Sequence, residues 1–172
     1  MNGLRIALVL ATSSGGVGSH VRSLCRGLAG RGHRVAVVGP AATEERFDFT
    51  GAGARFAELE VADRPRPFGD AAALLRLRAL LRGADVVHAH GVRAGALAAL
   101  SGPSAPLVAT LHNAPPAGGG AWLFGVLEQV LAWRADLVLG VSGDLVERSR
   151  PPVGSRRRCV PRWGWSRSGR CW

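Results

Sequence analysis

Two groups of residues in this chain have types and spacing suited to chemistry, a glycine cluster near the amino terminus and three histidines near the middle. Ser14-Gly15-Gly16-Val17-Gly18 closes an apolar run and opens an amphipathic one. Residues without a Cβ let a ligand approach the backbone, and a helix N-terminus supplies N–H groups and a partial positive charge. The segment is therefore a candidate anion site, with Ser14, Gly15 and Gly16 as its substrate-binding residues. A tight strand-to-helix turn without a ligand is the alternative. The dinucleotide pattern is absent, because Gly16-Val17-Gly18 is followed by Ser19, His20 and Val21 with no third glycine. A Walker loop is excluded because the chain contains no lysine.

The histidines are His88, His90 and His112. His88 and His90 are two residues apart in a strand-like run and so share one face of it. A metal site needs a third ligand with supporting carboxylates, and none is evident nearby, so no metal ligand is assigned. His88 reads as a hydrogen-bonded histidine partly inside the fold. His112 is followed at once by Asn113-Ala114-Pro115, which ends its strand and leaves the imidazole at an edge. Such a histidine can hydrogen-bond a sugar hydroxyl or a phosphate oxygen, or move a proton near neutral pH. His112 is accordingly the candidate catalytic residue. Ser142 starts a further helical stretch with Asp144 and Glu147 in its first turns, an arrangement that capping alone explains. No Gly-x-Ser-x-Gly elbow, paired-cysteine motif or nucleophile with an evident base occurs.

The elements that must carry these residues alternate. Strands are expected over Leu4 to Leu10, Arg34 to Val38, 54 to 61 (weaker), Asp85 to His90, Leu107 to His112 and Asp136 to Val141. Helices are expected over Gly18 to Gly30, Ala71 to Arg82, Arg93 to Leu100, Gly119 to Arg134 and from Ser142 to Arg148. Strand–helix alternation with right-handed crossovers gives an α/β fold, a Rossmann-like doubly wound parallel sheet. In such sheets ligands lie outside the carboxyl ends of the strands. There the loops at Ser13 to Gly18, His90-Gly91, His112-Asn113 and Ser142 gather, adding His90, Asn113 and Ser142 to the candidate substrate-binding residues.

Composition bounds the function classes. At 172 residues with 47% hydrophobic and 20% charged residues, the chain is long enough for one globular domain and unlike a disordered one. The net charge of +10 is unevenly spread. Arg156, Arg157, Arg158, Arg162, Arg167 and Arg170 fall in a carboxyl-terminal stretch without acidic residues. Residues 1–150 are read as the domain and 151–172 as an irregular Arg/Trp-rich tail, either a basic arm or a frameshifted end in GC-rich DNA. Three cysteines without metal spacing, no secretory h-region and no uninterrupted stretch of roughly 20 apolar residues point to a cytoplasmic protein without a membrane span.

Taken in order, these segments resemble the N-terminal, acceptor-side domain of family 4 GT-B glycosyltransferases. The resemblance rests on Leu4 to Leu10, Gly15-Gly16-Val17-Gly18-Ser19-His20-Val21, and the helix end Leu28-Ala29-Gly30-Arg31-Gly32-His33-Arg34-Val35. It continues with Asp85-Val86-Val87-His88-Ala89-His90-Gly91, Thr110-Leu111-His112, and Ala135-Asp136 through Val141-Ser142. It implies one half of a GT-B fold and transfer of a sugar, with retention, from a nucleotide-sugar co-substrate to an acceptor hydroxyl, without a metal or other cofactor. It also implies that Gly15 and Gly16 lie near the donor diphosphate and acceptor, and that His112 contacts the donor sugar or assists at the reaction centre. The family's C-terminal half, which holds the nucleotide and carries a pair of glutamates, has no counterpart here, so the chain alone is expected to be inactive or nearly so. Apolar surface is expected where that half would dock. The partners implied are a sugar nucleotide, a small-molecule or lipid acceptor and a separate donor-binding domain, with peripheral contact at the inner membrane face also open. An acceptor-binding subunit of a split enzyme is one alternative. A nucleic-acid binder using the basic tail is another, though no nucleic-acid partner is expected.

Overall fold

The computed structural model of the chain describes residues 3–13, 15–61, 67–112 and 121–141. Its elements run β1 (Arg5–Leu10), α1 (Gly16–Ala29), β2 (Arg34–Gly39), α2 (Ala41–Phe47), β3 (Arg55–Glu58), α3 (Pro67–Leu80), β4 (Val86–His90), α4 (Val92–Ser101), β5 (Leu107–Leu111), α5 (Ala121–Arg134) and β6 (Leu137–Gly140). The six strands form one sheet in the order β3-β2-β1-β4-β5-β6, and every pairing is parallel. From β1 the chain winds outward to β2 and β3, then returns to place β4 on the other side of β1. This reversal makes the β1/β4 seam the topological switch point, where ligands of such sheets bind.

The central strands bury both faces, which explains their near-continuous apolar sequences. One face carries Leu8, Leu10 and Val37 against Val21 and Cys25 of α1 and against Phe49. The opposite face carries Ala7, Val9, Val87, Ala89 and Leu111 against Leu77 of α3, Leu97 of α4 and Leu131 of α5. α4 is buried at nine of its ten positions, because α3 and α5 flank it. A Cβ placed on Gly95 would stand 2.8 Å from Leu131 Cδ1, so the glycine sets how closely α4 and α5 approach.

Two aspartates in matching positions fasten the amino edge of the sheet. Asp85, just before β4, accepts the Arg5 N–H at 2.8 Å and pairs with the Arg5 guanidinium at 3.0 Å. Asp136, just before β6, accepts the Leu107 N–H at 2.8 Å. Each takes up a backbone donor at the start of the neighbouring strand. Both lie at the edge opposite the ligand-binding ends, so the Asp-led strand starts serve the fold.

The structure differs from the sequence expectations in places. α2 was not expected, because seven residues span only two turns and show no apolar period. Pro40 before Ala41 and the glutamates at 44 and 45 were the available start signals. β3 is shorter than 54 to 61. α3 begins at Pro67 instead of Ala71, because proline is well tolerated at the first helical position. The helix expected from Ser142 and the tail at 151–172 lie outside the described residues.

Candidate functional site

β1, β4 and β5 deliver three chain segments to the same edge of the sheet. In register, Leu10 lies opposite His90 and His90 opposite Thr110, so the carboxyl ends of these strands are level. On β4 and β5 the side chains alternate. Val87, Ala89, Ala109 and Leu111 enter the main core, whereas His88, His90 and Thr110 project from the other face, toward the side where α1 packs.

The result is a histidine cluster larger than the sequence suggested. His88 Nε2 lies 2.8 Å from Thr110 Oγ1, which satisfies it within the fold as expected. The His88 and His90 rings are 4.2 Å apart between centroids. His90 Nδ1 lies 3.3 Å from His112 Nε2. The fourth member is His20 on α1, 5.8 Å from both His90 and His112 between ring centroids. The spacing Gly16 to His20 is one helical turn, and this i, i+4 relation was the signal that could have tied the glycine loop to the histidines. Because Gly16 and His20 are neighbours on α1, the glycine loop and His112 sit on one rim.

Burial sets the electrostatics. Desolvation lowers the His88 pKa to about 4, and the other histidines add to the effect. His90, only 2% exposed, is pushed lower still, and His112 is shifted down by desolvation and by His20. Among the described residues, the charges that lower these three pKa values belong to other histidines. All three are therefore neutral at pH 7. They can exchange hydrogen bonds with hydroxyls or oxygens, but they are not a cationic anchor for a diphosphate.

The glycines divide into two classes. Among the described residues, a Cβ on Gly15 or Gly16 would meet nothing within 4 Å, so their packing leaves the space above these glycines open. A Cβ on Gly18 would collide with the Phe47 ring, so Gly18 is required by the contact between α1 and α2. The Gly18 N–H is taken by Ser13 Oγ at 3.2 Å. Gly91, at the start of α4, adopts φ +91°, a conformation L side chains rarely take, and lets the chain turn directly from β4 into the helix. Of the residues read from sequence, Gly15, Gly16, His90 and His112 are thus brought together, whereas Ser14, Asn113 and Ser142 lie outside the described residues. Cys25 is buried against the sheet, where burial raises its thiol pKa to about 11, and it is no nucleophile.

Among the described residues the exposed apolar side chains include Val141 at the end of β6, Leu75 on α3, and Trp122, Val126 and Trp133 on α5. No described helix is long and apolar enough to cross a membrane.

The sequence profile of the glycosyl transferase 4-like domain matches residues 15–163. The chain belongs to that family. The match covers both the glycine loop and the histidine strands, and it runs past residue 150. Among curated proteins none matches the sequence. Several solved structures share the fold. Anabaena Alr3699/HepE, solved with UDP and glucose, aligns with a TM-score of 0.66 and 17% identity over 85% of this chain and 40% of its own. Sucrose-phosphate synthase from Thermosynechococcus elongatus aligns at 0.61 and 16% identity over 91% of this chain and 48% of its own. UDP-N-acetylglucosamine 2-epimerase from Rickettsia bellii aligns at 0.58 and 12% identity over 86% of this chain and 41% of its own. The chain thus spans less than half the length of these proteins. The sheet is Rossmann-like and corresponds to one half of a GT-B fold. Because an epimerase shares it, the fold alone does not choose the reaction, whereas the family match identifies a glycosyltransferase domain.

Proposed function

We propose that this chain is the acceptor-side half of a glycosyltransferase that moves a sugar from a nucleotide-sugar co-substrate to an acceptor hydroxyl, with retention and without a further cofactor. The observation that carries the reading is the shared rim. The open backbone at Gly15 and Gly16 and the neutral imidazole of His112 face one region beside the β1/β4 switch point. His112 serves the sugar hydroxyls, for which a neutral hydrogen-bonding group is suited, and the glycine backbone admits the phosphate-bearing end of the donor.

On this reading, the groups that neutralise the leaving diphosphate belong to a second half. Electrostatic stabilisation of developing charge is usually the largest catalytic contribution, so the 172-residue polypeptide by itself transfers sugar slower by orders of magnitude than a complete enzyme. The direct test is titration of UDP-glucose into the 15N-labelled chain. Amide shifts are expected at Gly15, Gly16, His20, Gly91 and His112, at weak affinity. Shifts confined to the opposite edge, around Asp85 and Asp136, would overturn the reading. So would measurable transfer by the isolated polypeptide to a simple alcohol, which would show that no second half is needed.

A further inference from the structure

We infer that His90 is a positioning residue that holds His112 in its Nδ1–H tautomer, so that His112 meets its ligand as a hydrogen-bond donor. The inference rests on the rim being the transfer site only for the identity of that ligand; the tautomer follows from the cluster itself. A neutral imidazole carries one proton on one of two nitrogens. His90 is 2% exposed, and among the described residues its Nε2 has no hydrogen-bond partner. Its other nitrogen, Nδ1, is 3.3 Å from His112 Nε2. The ring centroids are 5.5 Å apart, so the two rings meet edge to edge, nitrogen to nitrogen.

Only two arrangements give that contact a proton. In one, His112 Nε2–H donates to His90 Nδ1, and His90 must carry its own proton on Nε2, burying an N–H with no acceptor. In the other, His90 Nδ1–H donates to His112 Nε2, and His90 keeps a bare lone pair at Nε2. Orphaned buried N–H groups are rarer and costlier than under-used acceptors, so the second arrangement is favoured. The Nε2 lone pair of His112 is then engaged, and its proton resides on Nδ1. This reverses the usual preference of a free histidine for Nε2–H. Nδ1–H is the polar group left to His112 for a ligand. It suits a sugar hydroxyl or another oxygen acceptor, and it leaves His112 no free lone pair with which to act as a general base. His88, whose Nε2 is engaged with Thr110, meets His90 through ring contact at 4.2 Å between centroids and shares no hydrogen bond with it among the described residues.

The test is long-range 1H–15N correlation NMR of the full 172-residue chain at pH 7, with histidine signals assigned through single His→Gln variants. The expected result is protonated Nδ1 and bare Nε2 in both His90 and His112. His90→Asn keeps an N–H donor near the place of Nδ1 and should leave the His112 tautomer unchanged. His90→Phe removes the donor and should return His112 to a mixture dominated by Nε2–H. A protonated Nε2 on His112 in the unmodified chain overturns the inference, and so does an unchanged tautomer in a folded His90→Phe variant. If that variant does not fold, the spectrum of the unmodified chain decides alone. The UDP-glucose titration reports separately. A correct tautomer without ligand shifts at the rim would keep the positioning role and discard the transfer reading.

Discussion

Around this site, glycine is required for different reasons at neighbouring positions. Gly18 is fixed by packing, because a methyl there strikes the Phe47 ring, whereas a methyl on Gly16 would meet no described residue within 4 Å. Gly18→Ala should therefore destabilise the domain by about 1–3 kcal/mol through overpacking. Gly16→Ala should leave stability unchanged or raise it by up to about 1 kcal/mol through helix propensity. It should nevertheless weaken the UDP-glucose shifts at the rim. Urea denaturation of both variants, together with the titration, separates the two roles; equal destabilisation would show that both glycines serve packing alone. The placement of Gly15, Gly16 and His112 at the ends of strands was legible in the sequence, because glycines before a helix and a histidine before a chain break carry local meaning. His20 was not, since a single histidine on a helix acquires significance only when β4 and β5 bring two others within 6 Å of it.

The helices on the main-core face show why the existence of an element was easier to read than its contacts. α4 is rich in alanine and leucine and has no polar face, a pattern that fits a helix enclosed on several sides. What encloses it was decided by tertiary packing, through the close approach of Gly95 to Leu131. Leu131→Ala should cost about 2–5 kcal/mol, as expected for a large-to-small change at a side chain only 1% exposed. Gly95→Ala alone should also destabilise, but in the Leu131→Ala background the added methyl occupies vacated volume. The double-mutant cycle should then show a favourable coupling of roughly 0.5–3 kcal/mol. Strict additivity in chemical denaturation would mean that the two helices do not press on each other there. α2 escaped the sequence reading for the converse reason. Its seven residues carry little pattern, and its consequence, Phe47 seated on Gly18, is a contact across 29 positions of chain.

At the scale of the molecule, the histidine cluster makes stability depend on pH. Folding lowers the pKa of His88 to about 4, and that of His90 further, from an ordinary value of 6.5. Between these values the unfolded chain binds protons that the folded chain does not, so stability falls as pH falls. It is fully present above about pH 6.5 and declines by roughly 1 kcal/mol per pH unit for each such histidine as the medium is acidified toward pH 4. Urea midpoints measured at pH 7 and pH 5 should differ in that direction, and His88→Gln should flatten the dependence. A midpoint independent of pH would show that the imidazoles are solvated and not packed together.

The sequence by itself determined the parallel α/β architecture, the identity of the strands and the family to which the chain belongs, because hydrophobic period, glycine turns and strand ends are local properties of the polypeptide. Only the tertiary structure decided that four histidines, from α1, β4 and the end of β5, gather at one rim. It also decided that burial lowers the pKa values of His88, His90 and His112 there, and that no described residue fills the space above Gly15 and Gly16. Burial and ring-to-ring distance depend on which strands become neighbours, and in this sheet the crossover that sets β4 beside β1 makes them so.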